Sequence, residues 1–189
     1  VQLVGKKISS RTGELITVDG LLDDVKKLLE PLATDKTALE AVTIAAVKYS
    51  VLKAGPGLNA TFDLEKSVSL EGDSGPYLQY TYARAKSVLR KAGVSKEDLL
   101  ASQEVLLRSE ELAILRFLYR FPEVVEAAAK QYAPNLVCGY LFELAKRFNN
   151  LYNNCPILGN EFRLNLTEAT ATVLKNGLNL LGIEALEKM

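Results

Sequence analysis

The sequence predicts an all-α protein, an antiparallel helical bundle, from three observations. Apolar residues recur every three or four positions along most of the 189-residue chain, which is the spacing of one face of a helix. Prolines and glycines stand where helices would begin and end. The connections between the predicted helices are short, and short connections favour antiparallel neighbours. With 48% hydrophobic residues, the chain can bury a sizeable core.

The first third of the chain has a mixed pattern. Asp19 can cap a helix whose leucines and valine repeat at helical spacing, and Pro31 ends that helix. The predicted elements are a basic glycine-bounded loop at 5–13, a short strand at 15–18, helices at about 19–30 and 34–53, and an irregular connector at 58–74.

The rest of the chain has clearer helix signals. Pro76 stands at the first position of a predicted helix and Gly93 at its end, so this helix is bracketed over residues 76–92. The cluster of glycine, aspartate and serine just before Pro76 marks an internal boundary. Further helices are predicted at about 103–120, 122–132, 134–153 and 161–181.

Composition excludes several classes of function. The chain has no histidine, which rules out histidine-based catalysis, and Cys138 and Cys155 lack the spacing of a zinc site. They are interpreted as buried thiols, and neither a metal nor a cofactor is expected. No apolar run is long enough to span a bilayer and no signal segment opens the chain, so we expect a cytoplasmic protein with no membrane partner.

The predicted helix at 76–92 has two distinct faces. The core face consists of Leu78, Tyr82, Ala85, Leu89 and Ala92, and the second face consists of Tyr77, Tyr80, Arg84, Ser87 and Lys91. Aromatic rings beside cations are typical of surfaces that stack on unpaired bases and contact phosphates. The same pattern also fits tyrosines at the edge of a core beside a solvated basic face, and the residues alone leave both interpretations open.

The segment that leads into this helix resembles a known family. Residues 71–84, Glu-Gly-Asp-Ser-Gly-Pro-Tyr-Leu-Gln-Tyr-Thr-Tyr-Ala-Arg, are similar to the start of the DALR-type anticodon-binding domain of class I arginyl-tRNA synthetases. The likeness continues through residues 87–91, 120–125, 140–145, 153–158, 168–170 and 173–183. The resemblance implies the end of a catalytic domain at 1–33, a connecting helix and linker at 34–73, and a tRNA-binding helical domain at 74–189.

The resemblance also implies a role for the basic loop near the start. Lys7, Ser9, Ser10 and Arg11 lie in a string that resembles the KMSKS loop, which in the family neutralises the triphosphate of ATP. Ser10 stands where the signature has its second lysine. A parent enzyme would then use ATP as a substrate to join arginine to tRNA(Arg). This chain lacks histidine and the length of a nucleotide-binding fold, so we expect it to be inactive without the N-terminal catalytic domain.

Six residues are predicted to bind tRNA. The resemblance and the helix phase together assign Tyr77 and Tyr80 to the anticodon loop and Arg84 and Lys91 to phosphates, and the resemblance adds Tyr152 and Met189. Tyr152 also continues a predicted core stripe, and a terminal residue such as Met189 can fray. The asparagines at 149, 150, 153 and 154 fit either base reading or the end of a helix.

Two other hypotheses of function fit the same sequence. A helical scaffold that binds a partner protein would also expose tyrosine and arginine, so composition does not separate it from an RNA-binding domain. The basic loop with Lys7 and Arg11 could also retain part of an ATP site.

Overall fold

The computed structural model describes residues 2–3, 17–32, 35–93 and 107–189, and these residues form an all-α protein as predicted. The helices are Val18–Leu29 (α1), Lys36–Leu52 (α2), Leu64–Ser67 (α3), Gly75–Ala92 (α4), Ser109–Leu118 (α5), Phe121–Gln131 (α6), Pro134–Asn154 (α7) and Glu161–Leu180 (α8). A 3-10 turn, Glu30–Leu32, follows α1. The strands Gln2–Leu3 (β1) and Thr61–Phe62 (β2) form a minimal parallel pair.

Both ends of α4 follow from its sequence. The Ser74 hydroxyl accepts a hydrogen bond from the Tyr77 backbone N–H at 3.1 Å, which caps the helix, and Pro76 lies in the first turn, where its missing N–H costs nothing. Gly93 ends the helix with φ of +65°, a conformation that glycine adopts without steric penalty. The predicted helix at 76–92 is therefore confirmed to within one residue.

The predicted start of the helical region was wrong in detail. Thr17, and not Asp19, caps α1, because its hydroxyl accepts from the Gly20 backbone N–H at 3.1 Å. Val18, expected to end a strand, is the first residue of α1. Asp19 lies in the first turn, where a carboxylate interacts favourably with the helix dipole.

Two other boundaries differ from the prediction. Helix α5 begins at Ser109, because Arg108 has an extended backbone whose N–H donates to Glu111 Oε2 at 2.6 Å. The helix was expected from 103, and residues 103–106 lie outside the described residues. The connector at 58–74 is not wholly irregular, since it contains β2 and α3. Asp63 caps α3 by accepting from the Lys66 backbone N–H at 3.1 Å.

The core consists of two groups of buried side chains. The larger group lies mainly between α4, α5, α7 and α8, and its fully buried members include Leu78, Ile114, Leu141, Leu144, Phe148 and Leu174. The smaller group consists of Val25, Leu29, Leu39, Val42, Ala46 and Phe62. Helix α2 contributes to both, because Ala45 and Tyr49 belong to the larger group. The domain division at residues 73 and 74 stays a prediction.

The two cysteines are buried and unpaired, as predicted. Burial raises the pKa of the Cys138 thiol to about 12, so this thiol stays protonated at neutral pH and is a poor nucleophile. In the segments that the structure describes, none of the helices combines the length and apolar character needed to cross a bilayer.

Candidate nucleic-acid interface

Helix α4 presents the two faces that its sequence predicts. Leu78, Tyr82, Ala85 and Leu89 are buried in the larger core group. On the other face, Tyr77, Tyr80, Arg84 and Ser87 are half-buried and Lys91 is exposed. The tyrosines of this face are therefore available at the surface, although neither ring is fully solvated.

The guanidinium of Arg84 lies between two tyrosine rings. Its Cζ atom is 4.7 Å from the centroid of the Tyr80 ring on α4 and 4.8 Å from that of the Tyr152 ring on α7. Its Nη2 atom also donates to the Tyr80 hydroxyl at 2.9 Å. Attraction between a cation and each ring face stabilises this arrangement, so Arg84 fixes the orientation of both tyrosines.

Asn149 joins α7 to this face of α4. Its amide oxygen accepts from Arg84 Nη1 at 2.6 Å, and its amide nitrogen donates to the Tyr77 hydroxyl at 2.9 Å and to Thr81 Oγ1 at 3.0 Å. The Tyr77 ring packs edge-on against Phe142 with centroids 5.9 Å apart. Both the hydroxyl and the ring of Tyr77 are thus engaged within the protein. Helix α7 ends at Asn154, so the prediction that these asparagines end a helix is confirmed for Asn153 and Asn154, whereas Asn149 lies further inside the helix.

Five of the six predicted tRNA-binding residues line one groove of about 600 Å³. They are Tyr80, Arg84 and Lys91 of α4, Tyr152 of α7, and Met189. Tyr77 does not line this groove. Tyr152 keeps 41% of its surface exposed and Met189 keeps 37%, so neither is a core residue. Residues far apart in the chain meet here through the packing of α4 against α7 and α8. Tyr152 lies 72 positions after Tyr80, and Lys188 lies 97 positions after Lys91.

Residues 181–189, the C-terminal segment, form one side of the groove. Three side chains from α2 and α4 donate to its backbone carbonyls: Lys48 to Gly182 at 2.5 Å, Gln79 to Glu184 at 2.8 Å and Arg90 to Glu187 at 3.1 Å. Within the segment, Ile183 is buried in the larger core group. The segment is therefore fastened to the bundle along most of its length.

The groove is cationic on balance, although the chain has no net charge. Its lining contains four cations, Arg84, Arg90, Lys91 and Lys188, and two carboxylates, Asp35 and Glu187. A local excess of positive charge attracts phosphates and raises the rate of encounter with a nucleic acid.

Comparison with known proteins assigns this region to a family. A model of the "DALR anticodon binding domain" matches residues 78–189, which include the five predicted residues in the groove. The chain belongs to the DALR anticodon-binding domain family. The matched residues include most of α4 and all of α5 to α8, which form most of the larger core group and of the groove. Helix α2, which also contributes to the larger core group, lies outside the match.

Some relatives of this DALR-family chain are much longer proteins that are named ligases. The chain is 38% identical to an arginine-tRNA ligase of Aliivibrio fischeri and 35% identical to that of Pasteurella multocida, over 98% of its own length in each case. It spans only 35% and 36% of those two proteins. The chain is thus similar to a third of a much longer protein.

Solved structures show the same fold. The arginyl-tRNA synthetase of Thermus thermophilus superposes on the whole of this DALR-family chain with a TM-score of 0.85 and 32% identity, and the chain covers 34% of that protein. The arginyl-tRNA synthetase of Plasmodium falciparum matches 93% of the chain with a TM-score of 0.78 and 24% identity, a level that shows the fold alone. The recognition of the family from the sequence is confirmed.

Sequence reasoning missed several residues that line the groove of the DALR-family chain. Asp35, Glu187 and Lys188 were not singled out, and Arg90 was included only within the matching segment 87–91. Asp35 lies 45 residues before Tyr80, at the start of α2, and nothing in its local sequence indicates that it reaches the groove. Lys7, Ser9, Ser10 and Arg11 lie outside the described residues, so their role in an ATP site stays a prediction.

Proposed function

We propose that the groove binds the anticodon loop of tRNA(Arg). The observation that carries this proposal is the Tyr80, Arg84 and Tyr152 stack, which lies in a cationic groove within the part of the chain that matches the anticodon-binding family. Two rings and a planar guanidinium offer flat surfaces to unpaired bases. Each stacked base contributes about 1–3 kcal/mol, so a few contacts suffice without a large net charge.

The dimensions and charge of the groove fit this ligand. Binding sites for small ligands commonly enclose about 300–1,000 Å³, and the groove falls in the middle of that range, so it can hold one or two nucleotides of a loop. Arg90, Lys91 and Lys188 also line the groove, and we expect them to contact the phosphates of the same nucleotides. Bases would enter the groove while the backbone stays at the rim.

In this proposal Tyr77 supports the site without lining the groove. Because its hydroxyl accepts from Asn149 and its ring packs on Phe142, it helps to hold Asn149, which in turn bonds Arg84. Direct contact between Tyr77 and the anticodon loop stays a prediction from the sequence.

We further propose that the chain is part of an arginine-tRNA ligase that uses ATP and acts in the cytoplasm. The proteins it resembles carry that name, and the chain corresponds to about a third of their length. The predicted KMSKS-like loop, Lys7 to Arg11, would contact the ATP phosphates in the longer protein. We expect the chain alone to bind tRNA and to have no aminoacylation activity.

Binding of an isolated anticodon stem-loop tests the proposal. Fluorescence anisotropy with a labelled stem-loop of tRNA(Arg) should give salt-sensitive binding that is tighter than binding of a stem-loop from an unrelated tRNA. Tyr80→Ala should weaken cognate binding about tenfold by removing one stacking surface. Tyr119→Ala is the matched control, because Tyr119 is 89% exposed at the end of α5 and does not line the groove.

Equal binding of both stem-loops would contradict recognition of the anticodon and would return a protein-interaction scaffold to consideration. Unchanged binding by a folded Tyr80→Ala variant would remove Tyr80 from the site. Circular dichroism and a urea unfolding curve confirm that each variant is folded.

A further inference from the structure

We propose that Arg90 is a positioning residue, which holds the end of the C-terminal segment so that Met189 forms part of the base-binding surface. This inference rests on the function proposed above. It assigns to Arg90 a role that differs from that of the neighbouring Lys91, although both are exposed cations of α4 that line the groove.

The hydrogen bonds of the C-terminal segment show why Arg90 matters most near Met189. Lys48 and Gln79 hold the carbonyls of Gly182 and Glu184, several residues before the groove. Arg90 Nη1 donates to the carbonyl of Glu187 at 3.1 Å, only two residues before Met189. Among the described residues, no side chain or backbone group is hydrogen-bonded to Lys188 or Met189. Arg90 is therefore the last fixed point before the part of the segment that lines the groove.

The hydrogen bond between Arg90 and Glu187 suits a role in positioning the segment, because it contributes little to the stability of the fold. Arg90 is exposed, and so is Glu187, so water competes for this hydrogen bond and its loss changes global stability little. The earlier part of the segment is held independently of Arg90. Leu181 and Ile183 are buried in the larger core group, and Ala185 and Leu186 are partly buried against the larger and the smaller group. Removal of Arg90 should therefore release only residues 187–189, without unfolding the bundle.

The guanidinium also suits a residue at the edge of an RNA site. It carries five N–H donors, so one can bond the Glu187 carbonyl while others stay available to a phosphate. A simple phosphate contact would need the charge alone. A positioning role also needs the bond to the segment, and this difference makes the two roles separable by experiment.

A double-mutant cycle with RNA provides the first arm of the test. Binding of the tRNA(Arg) anticodon stem-loop is measured for variants of the full 189-residue chain. The single variants are Arg90→Ala, Lys91→Ala and Met189→Ala, and each cation variant is also combined with Met189→Ala. Met189→Ala should weaken binding about fivefold in the parent chain and in Lys91→Ala. In Arg90→Ala the same change should have almost no effect, because Met189 has already left the groove. Arg90→Lys should restore part of the Met189 effect, since its ammonium can also donate to the carbonyl.

Backbone mobility without RNA provides the second arm. The heteronuclear ¹⁵N–¹H NOE of the amides in residues 187–189, measured by NMR, should fall in Arg90→Ala, recover in part in Arg90→Lys and stay unchanged in Lys91→Ala. A role confined to phosphate contact would not alter these values in the absence of RNA.

The outcomes separate this inference from the proposed function. If the parent chain binds the stem-loop but the Met189 effect is the same in Arg90→Ala and Lys91→Ala, the positioning role is overturned. If the parent chain binds no RNA, the proposed function fails together with the role of Met189 in base binding. Lowered NOE values at residues 187–189 in Arg90→Ala would then still show that Arg90 holds the segment.

Discussion

Arg163 of α8 donates from Nε to Glu111 Oε1 of α5 at 2.6 Å, and both side chains are almost completely buried. Two further polar atoms of the pair are also used. Arg163 Nη1 donates to the carbonyl of Pro156 at 2.7 Å, and Glu111 Oε2 accepts from the Arg108 backbone N–H at 2.6 Å. This one ion pair therefore connects α5, α8 and the turn that follows α7.

Glu111→Gln should destabilise the protein by about 3–5 kcal/mol, because it leaves the charge of Arg163 buried without a carboxylate. The free energy of unfolding from urea denaturation measures the effect. Glu110→Gln is the control, since the neighbouring Glu110 bonds only the hydroxyl of Ser109 and has no buried partner. A loss below about 1 kcal/mol would mean that water reaches Arg163 in the variant and screens its charge.

The same pair predicts how stability depends on pH. Burial alone would raise the pKa of Glu111, but hydrogen bonds from Arg163 and from the Arg108 backbone, together with the charges of both arginines, hold it below the ordinary value. The folded state thus binds this proton less tightly than the unfolded state. The stabilisation is complete above the unfolded pKa, about 4.3, and is lost as the pH falls through the lower folded pKa.

Urea unfolding of the parent chain and Glu111→Gln between pH 7 and pH 3 checks this prediction. The difference in unfolding free energy should be largest near neutral pH and should shrink as the pH falls below about 4. A difference that stays constant over this range would show that Glu111 does not titrate with a lowered pKa.

The two faces of α4 could be predicted from the sequence, whereas the partners of those faces could not. Helical spacing places Leu78 inward and Tyr80 outward regardless of what packs nearby, because the phase of a helix is a local property. The position of Arg84 between the Tyr80 and Tyr152 rings depends on how α7 lies against α4, and those two tyrosines are 72 residues apart in the chain. The family resemblance supplied Tyr152 and Met189, but not the hydrogen bonds that hold them.

Charged residues in the core were the hardest to predict. Glu111 and Arg163 each lie on a helix where a charged side chain usually faces solvent, and nothing local indicates that they meet across 52 residues. Asp35 and Arg90 were equally hard to predict, because tertiary packing and not a local sequence pattern places them in the groove.

Gly75→Ala should destabilise the protein strongly, because α4 begins against the backbone of α2. A Cβ atom on Gly75 would lie 2.2 Å from the carbonyl oxygen of Ala45, and a backbone atom inside a helix cannot easily move away. We expect a loss of about 2–3 kcal/mol, measured by urea unfolding. Gly139→Ala is the control, because a Cβ on this exposed residue of α7 meets nothing and should stabilise the helix by about 0.5–1 kcal/mol. Equal effects at both positions would contradict the close approach of α2 and α4.

Arg84→Lys keeps the charge but should weaken binding of the cognate stem-loop about tenfold. An ammonium cannot stack as a plane between Tyr80 and Tyr152 and bond Asn149 at the same time, so both rings lose their fixed orientation. Because the charge is unchanged, the dependence of log Kd on log salt should keep its slope. Lys91→Arg is the matched control and should have little effect. A reduced salt slope in Arg84→Lys would show that Arg84 contacts a phosphate directly.

Asp35→Asn tests why a carboxylate lies in a groove that is otherwise mostly cationic. Asp35 Oδ1 accepts from the Ala38 backbone N–H at 2.8 Å, and no cation of the described residues forms an ion pair with it. A carboxylate repels phosphates, but it accepts hydrogen bonds from the amino groups of bases. Asparagine caps a helix as well as aspartate, so the substitution changes the groove and leaves the start of α2 intact.

We expect Asp35→Asn to weaken binding of the cognate stem-loop about tenfold and to strengthen binding of an unrelated stem-loop slightly, because a base contact is lost while repulsion of phosphates decreases. Anisotropy titrations with both RNAs measure the two effects. Asp19→Asn is the control and should change neither affinity, because Asp19 is an exposed residue of α1 outside the groove. If Asp35→Asn strengthened both complexes equally, the carboxylate would act only by repulsion. A selective loss for the cognate RNA would instead place a residue from outside the matched family region among those that discriminate between anticodons.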